Sequence, residues 1–181
     1  MKRYLWFVLF LLASALSLNA QNDSIVRVTK YNAIDSRKGT IIKFVEKERD
    51  KIVTTSDSRF GLNSAIRTYY NDGGNSYFLI IESSLVVGIE YSDLVEVNKV
   101  FDKLFKEVDA DCALNPDYLE SKFITDDGFK IGYYVKKGKA HWVVDLDIYS
   151  PLGRIELKKP YDFSKGLKDA QNEIEIMKNG K

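Results

Sequence analysis

Cysteine and histidine are nearly absent: the 181-residue chain has one of each, Cys112 and His141. A single cysteine cannot close a disulfide within the chain. One cysteine and one histidine cannot build a histidine-rich zinc site either. Cys112 follows Asp111, the wrong neighbour for a thiolate nucleophile, and reads as a small apolar residue just past a helix. Charge of one sign is also missing. Lysine and arginine number 27 against 26 aspartates and glutamates, so the overall field that nucleic acid or a polybasic membrane contact requires is absent. The chain holds no G-x-x-x-x-G-K, no G-x-G-x-x-G after a strand, no H-E-x-x-H, no C-x-x-C and no G-x-S-x-G elbow. No cofactor and no metal is expected.

One long apolar run is present, Leu5 to Leu18. At about 14 residues it falls short of the roughly 20 that span a bilayer. It follows Met1-Lys2-Arg3-Tyr4 and leads into Asn19-Ala20-Gln21, the order of a secretory signal peptide. Cleavage is expected after Ala20, and no cysteine follows the run to carry a lipid anchor. Loss of residues 1–20 removes Lys2 and Arg3 and no acid, turning the net charge from +1 to −1. Residues 21–181 are then one exported domain, periplasmic or extracellular, with no membrane span, and 24–110 and 114–181 are its candidate subunits.

The remaining pattern is mostly of period two. Ile25 to Tyr31 reads as an edge strand, Thr40 to Lys47 as a second and Ile52 to Thr55 as a third, with Glu48-Arg49-Asp50-Lys51 as the turn between these two. Ser64 to Tyr70 reads as a strand, and Asn71-Asp72-Gly73-Gly74-Asn75 as a hairpin. Tyr77 to Glu82 and Leu85 to Tyr91 are apolar on both parities and are expected to be central strands. The period then changes. Leu94, Val97, Phe101, Leu104 and Val108 form a helical stripe, with Asp93 and Glu96 as a capping pair. Pro116 ends this half.

Asp117 to Thr125 is the next strand. A three-residue turn with Gly128 left-handed puts Leu119, Ser121 and Phe123 on the apolar face, whereas a two-residue turn would bury Lys122 opposite Tyr133. A two-residue turn at Lys137-Gly138 pairs Tyr134 with His141, Tyr133 with Trp142, Ile131 with Val144 and Lys130 with Asp145; a turn at Gly138-Lys139 would move the partners by two and leave both faces intact, so the faces are firmer than the exact pairs. Ile131, Tyr133, Val135, Ala140, Trp142, Val144 and Leu146 then share the apolar face. Lys130, Tyr134, His141, Asp145 and Asp147 share the other. Past Ser150-Pro151-Leu152-Gly153, Ile148 is expected opposite Ile155 and Leu146 opposite Leu157. A second helix follows, with Phe163, Leu167, Ala170, Ile174 and Met177 as its stripe and Gly166 as a weak point in its first turn.

The fold class is α+β. About 8–10 mainly antiparallel strands carry two amphipathic helices, about 93–109 and 162–178, on their apolar face. Each half has about four strands and then a helix, the plan a duplicated β4α unit would give.

Asn19-Ala20-Gln21, Ile89-Glu90-Tyr91-Ser92-Asp93-Leu94 and Asp126-Asp127-Gly128-Phe129-Lys130-Ile131-Gly132-Tyr133-Tyr134 resemble recurring pieces of uncharacterised exported proteins of Bacteroidota. The β4α plan resembles β-lactamase-inhibitor-like periplasmic domains in architecture. Neither resemblance carries a residue role.

A serine–histidine–aspartate arrangement would need His141, and Asp145 lies about 13 Å further along the strand, too far to orient it. Asp145 and Asp147, about 7 Å apart on one face, could share a Ca²⁺ with outside ligands. A solvated acidic face opposite Lys130 and Arg154 is the simpler account of them. The expected function is therefore a non-enzymatic binding or interaction protein of the bacterial cell envelope, with an envelope protein, peptide or glycan as partner. Its contact surface is expected at Tyr134, His141, Asp145 and Tyr149, with Lys130 and Lys136 at the rim. The alternative is a carboxylate-dependent hydrolase acting on envelope or glycan substrates.

Overall fold

A computed structural model describes residues 29–54, 61–71, 73–148 and 153–180. The expected signal peptide and its cleavage site lie outside the described residues. The chain is an α+β protein built mainly from antiparallel sheet. The first sheet holds β1 (Phe44–Val53), β2 (Gly61–Asn71), β3 (Gly74–Glu82) and β4 (Val86–Glu90), in that order. The second holds β5 (Leu119–Ile124), β6 (Lys130–Lys136), β7 (Lys139–Asp145) and β8 (Arg154–Leu157), again in order. Three helices accompany them: α1 (Lys30–Asp35), α2 (Tyr91–Ala113) and α3 (Pro160–Asn179). Each sheet is thus followed in sequence by one long helix.

In the first sheet, Glu48 to Lys51 is no turn. β1 runs through it and absorbs the charged stretch with a register shift between Arg49 and Ile52. Glu48, Asp50 and Lys51 of this run are exposed, while Arg49 is covered and paired with Glu173 of α3 at 2.9 Å; charges on an edge strand also protect it from pairing. The hairpin after β2 closes as expected, with Asn71 opposite Gly74.

β4 is an edge strand and not a central one. It is apolar on both parities because both faces of the sheet are covered. The second cover is α1, where the sequence pattern suggested a strand ending at Tyr31; residues 25–28 of that expected strand lie outside the described residues. Thr29 caps α1 through the Asn32 amide at 3.0 Å. Tyr31 then packs on Ala65, Tyr69, Phe78 and Ile80. Gly88 makes room for it, since a Cβ there would lie 2.5 Å from the Tyr31 ring.

The stripe of α2 is buried as the period requires: Leu94, Val97, Phe101, Leu104 and Val108. The helix starts at Tyr91, so Asp93 lies inside the first turn and does not cap. Cys112 is in its last turn and packs, half-buried, on the core. The end comes at Asn115, with φ of 46°, just before Pro116. Helix α3 begins at Pro160, a residue suited to a first helical position. Its Gly166 reflects a close approach: a Cβ would stand 3.0 Å from Cγ2 of Ile52.

The two helix stripes and the apolar faces of both sheets meet in one buried cluster. It includes Ile66, Leu79 and Ile81 of the first sheet and Ile131, Tyr133 and Val144 of the second. At its centre Phe101 lies 6.0 Å from both Trp142 and Phe163, and Tyr133 lies 4.9 Å from Trp142. The buried Tyr133 hydroxyl donates to Asp111 of α2 at 2.7 Å. That bond ties the second sheet to the helix and satisfies a phenol that would otherwise be stranded.

Candidate functional site: the outer face of the second sheet

The register of β5 to β8 places the site. Ser121 lies opposite Tyr133, as the three-residue turn at Asp126-Asp127-Gly128 requires, and Gly128 has φ of 87°. Tyr134 pairs with His141, Tyr133 with Trp142, Ile131 with Val144 and Lys130 with Asp145. The turn residues Lys137 and Gly138 have φ of 52° and 68°, the left-handed pair that a two-residue hairpin needs. The β7–β8 connection is longer than expected. Val144 faces Ile155 and Trp142 faces Leu157. The pairing thus differs by four residues from the expected Ile148–Ile155 and Leu146–Leu157, while parity is kept.

The face away from the core therefore carries four rows. Tyr118, one residue ahead of β5, stands beside Lys136 and Lys139. Glu120, Tyr134, His141 and Lys158 form the second row. Lys122, Gly132, Val143 and Glu156 form the third. Ile124, Lys130, Asp145 and Arg154 form the last.

The first two rows share an aromatic ladder. The Tyr134 and His141 rings are 4.8 Å apart and 7° from parallel. That is the spacing between neighbouring strands, so the rings stand off the sheet face to face. Tyr118 continues the stack at 6.0 Å from Tyr134. Tyr118 is 61% exposed and the His141 side chain 37%, while Trp142 beneath is buried. Salt links surround the ladder: Lys122 to Glu120 at 3.0 Å, Lys158 to Glu156 at 2.6 Å, and His141 Nδ1 3.6 Å from Glu156. The hydrogen bond from Lys158, and more weakly that from His141, holds the Glu156 carboxyl below the usual range. Lys122, with a smaller contribution from Tyr118, does the same for Glu120.

One expected member of the face is not free. Asp145 is buried and ion-paired with Lys130, itself mostly covered. It offers no free carboxylate to a partner, and the wet acidic face expected there does not exist at that position. Strand parity could name its face but not its cover. Tyr149 lies outside the described residues. Tyr118 is the residue that sequence reading missed. Its signal was available, because the register that buries Leu119 turns Tyr118 outward.

The first sheet has a counterpart. Phe44, Tyr69 and Phe78 line its outer face at 5.5 and 5.7 Å. Tyr31 of α1 covers Tyr69 and Phe78, and Arg67 lies against Phe44, its guanidinium 4.4 Å from the ring centre, leaving Phe44 43% exposed. Burial pushes the Tyr69 hydroxyl up to about 12. No such cover lies on the second sheet's ladder among the described residues.

A second polar cluster occupies the seam between the halves. Lys30 Nζ lies 3.0 Å from Glu90 and 2.9 Å from Asp93. The Lys30 amide donates to both Asp127 oxygens, at 3.0 and 3.1 Å. Burial opposes the Lys30 charge, but the hydrogen bonds it donates to Asp93 and Glu90 outweigh it and raise the ammonium above the usual lysine range. Beside them is a cavity of about 50 Å³ lined in part by Asp93, Asp127 and Asp147, room for water but far below the several hundred Å³ of a substrate pocket. Among the described residues no group of three or more acidic, cysteine or histidine side chains is placed to hold a metal, and no helix is long and apolar enough to cross a membrane.

Burial pushes the Asp127 carboxyl up; the Lys30 amide works against this, and the charges of Asp93 and Glu90 add to it. A carboxyl raised on folding binds its proton more tightly in the folded chain, so stability falls as pH rises from its unfolded value through its raised one. Asp127→Asn keeps an acceptor for the Lys30 amide and removes the charge. The variant should melt at or above the parent at about pH 7 and lose that advantage near pH 3, below the unfolded value of about 3.9. A variant melting lower than the parent at neutral pH would show that the second carboxylate bond outweighs the charge.

No protein-family model matches the chain, and no curated protein or solved structure matches it either.

Proposed function

We propose that the protein is a non-enzymatic binding protein, exported to the bacterial cell envelope, that engages its partner through the outer face of the second sheet. The observation that carries this reading is the uncovered aromatic ladder of Tyr118, Tyr134 and His141. On the first sheet Tyr69 and Phe78 are buried beneath α1 and Phe44 stays 43% exposed at the edge strand, whereas no helix lies over the second sheet's ladder among the described residues. Half-exposed aromatics among charged side chains are the mix that contact surfaces favour. The carboxylates of the seam are engaged by Lys30 beside a cavity too small for a substrate, which supports binding over hydrolysis.

The test is a double variant, Tyr134→Ala with His141→Ala. Immobilised parent protein should retain material from an envelope extract, and the variant should retain several-fold less. The melting temperature should hardly move, since cross-strand pairs of this kind contribute about 0.2–1 kcal/mol. A variant that melts much lower yet retains as much material would give these side chains a supporting role only.

A further inference from the structure

We propose that the ligand of this face is an acidic saccharide, a polysaccharide whose sugar rings carry carboxylates; this rests on the binding role proposed above. The argument starts from the hairpin end of the face. Lys136, Lys137 and Lys139 are exposed there, and none of them forms an ion pair with a described residue. The chain as a whole has a net charge of only +1, so this is a local concentration of positive charge. Further down the face Lys122 is matched by Glu120, Lys130 by Asp145 and Lys158 by Glu156, and Arg154 stands exposed at the far end, three rows from Tyr118.

The uncompensated lysines flank the most exposed ring of the ladder. Tyr118 stands in the row of Lys136 and Lys139, and its inner face is taken by Tyr134. β5 is an edge strand, so among the described residues no further strand covers the outer face of Tyr118. A flat apolar ring face beside lysines fits a pyranose ring. The ring's C–H side packs on the phenol and its carboxylate reaches an ammonium in a charge-assisted bond. The phenol and imidazole edges of Tyr134 and His141 offer donors and acceptors to the hydroxyls of the next sugar. An acidic peptide would instead be expected to pair its backbone along a free strand edge, leaving the standing rings unused.

The experiment is calorimetric titration of the purified full chain with an oligogalacturonate. Three controls accompany it: a neutral cello-oligosaccharide of equal length, poly-glutamate, and vesicles of anionic phospholipid. The variants are Tyr118→Ala and the pair Lys136→Gln with Lys139→Gln, all exposed positions whose folding is checked by melting. Oligogalacturonate should bind saturably, weaken with added salt, and lose about tenfold or more in affinity in each variant. No saturable binding overturns the proposal, as does binding that Tyr118→Ala leaves unchanged. Equal binding of poly-glutamate or vesicles overturns it in favour of a polypeptide or a lipid surface. A cello-oligosaccharide that binds as tightly, and is lost with Tyr134→Ala and His141→Ala, overturns the acidic class while the binding face stands. Envelope retention that ignores Tyr134 and His141 removes both readings.

Discussion

Gly132→Val should separate β5 from β6 and remove the edge of the second sheet. A Cβ at Gly132 would stand 2.2 Å from the Ser121 carbonyl oxygen and 2.8 Å from the Lys122 Cα. These are backbone atoms of the neighbouring strand, and no rotamer change moves them aside. Overpacking in a well-ordered interior costs about 1–3 kcal/mol where side chains can yield; here the strands themselves must part, so about 3–5 kcal/mol is expected. For a chain of this size that corresponds to a fall of about 10 °C in melting temperature. Amide exchange should rise across residues 119–124 and their β6 partners before it rises elsewhere. The contact face should suffer with the fold, because Tyr118 is carried by the strand that is lost. A variant melting with the parent would show that β5 and β6 tolerate a side chain between them, contrary to the close approach seen here.

Phe101→Ala should be the most damaging core substitution that leaves the backbone free. Phe101 is fully buried and its ring meets those of Phe105, Trp142 and Phe163. It therefore joins α2, α3 and the second sheet at one point. Truncation removes a large apolar side chain and leaves a void that three stacked rings cannot close without giving up their own contacts. A loss of about 3–5 kcal/mol is expected, again near 10 °C in a thermal melt. Ile176→Ala on α3, at a residue 71% exposed, should leave the melt within about 0.5 kcal/mol of the parent. Equal effects of the two would mean that the helices are not held through this cluster.

Much of this fold could be read from residue order. Alternation in β6 and β7 decided which face each side chain takes, while the exact pairs stayed open between turns at Lys137-Gly138 and Gly138-Lys139, and the structure has the first of these. Gly128 did the same for β5, since the other register would have buried Lys122. The helical stripes were legible because Leu94 to Val108 and Phe163 to Ile174 repeat at three and four.

What failed depends on tertiary cover. β1 looked like two strands because a solvated edge tolerates a charged run at its register shift. β4 looked central because α1 covers its second face, and a six-residue helix has too little pattern to announce itself. The β7–β8 pairing was misplaced because Ser150-Pro151-Leu152-Gly153 resembles a tight turn inside a longer connection. Asp145 seemed available because its pairing with Lys130 was legible but the burial of the pair was not. Tyr118 was overlooked although it lay inside the expected strand Asp117 to Thr125 and the accepted register already turned it outward.

The central claim is that the outer face of the second sheet is where the protein makes its contact. His141 is the only histidine in the chain and stands in the ladder itself, so its imidazole protons give an isolated NMR signal. Trp142, its neighbour in sequence, points into the core and serves as the internal reference. Titration with oligogalacturonate, or with soluble envelope glycan, should move the His141 signal along a saturable curve and leave the Trp142 indole signal in place. Saturable binding with a stationary His141 signal would contradict the claim and place the contact elsewhere on the molecule.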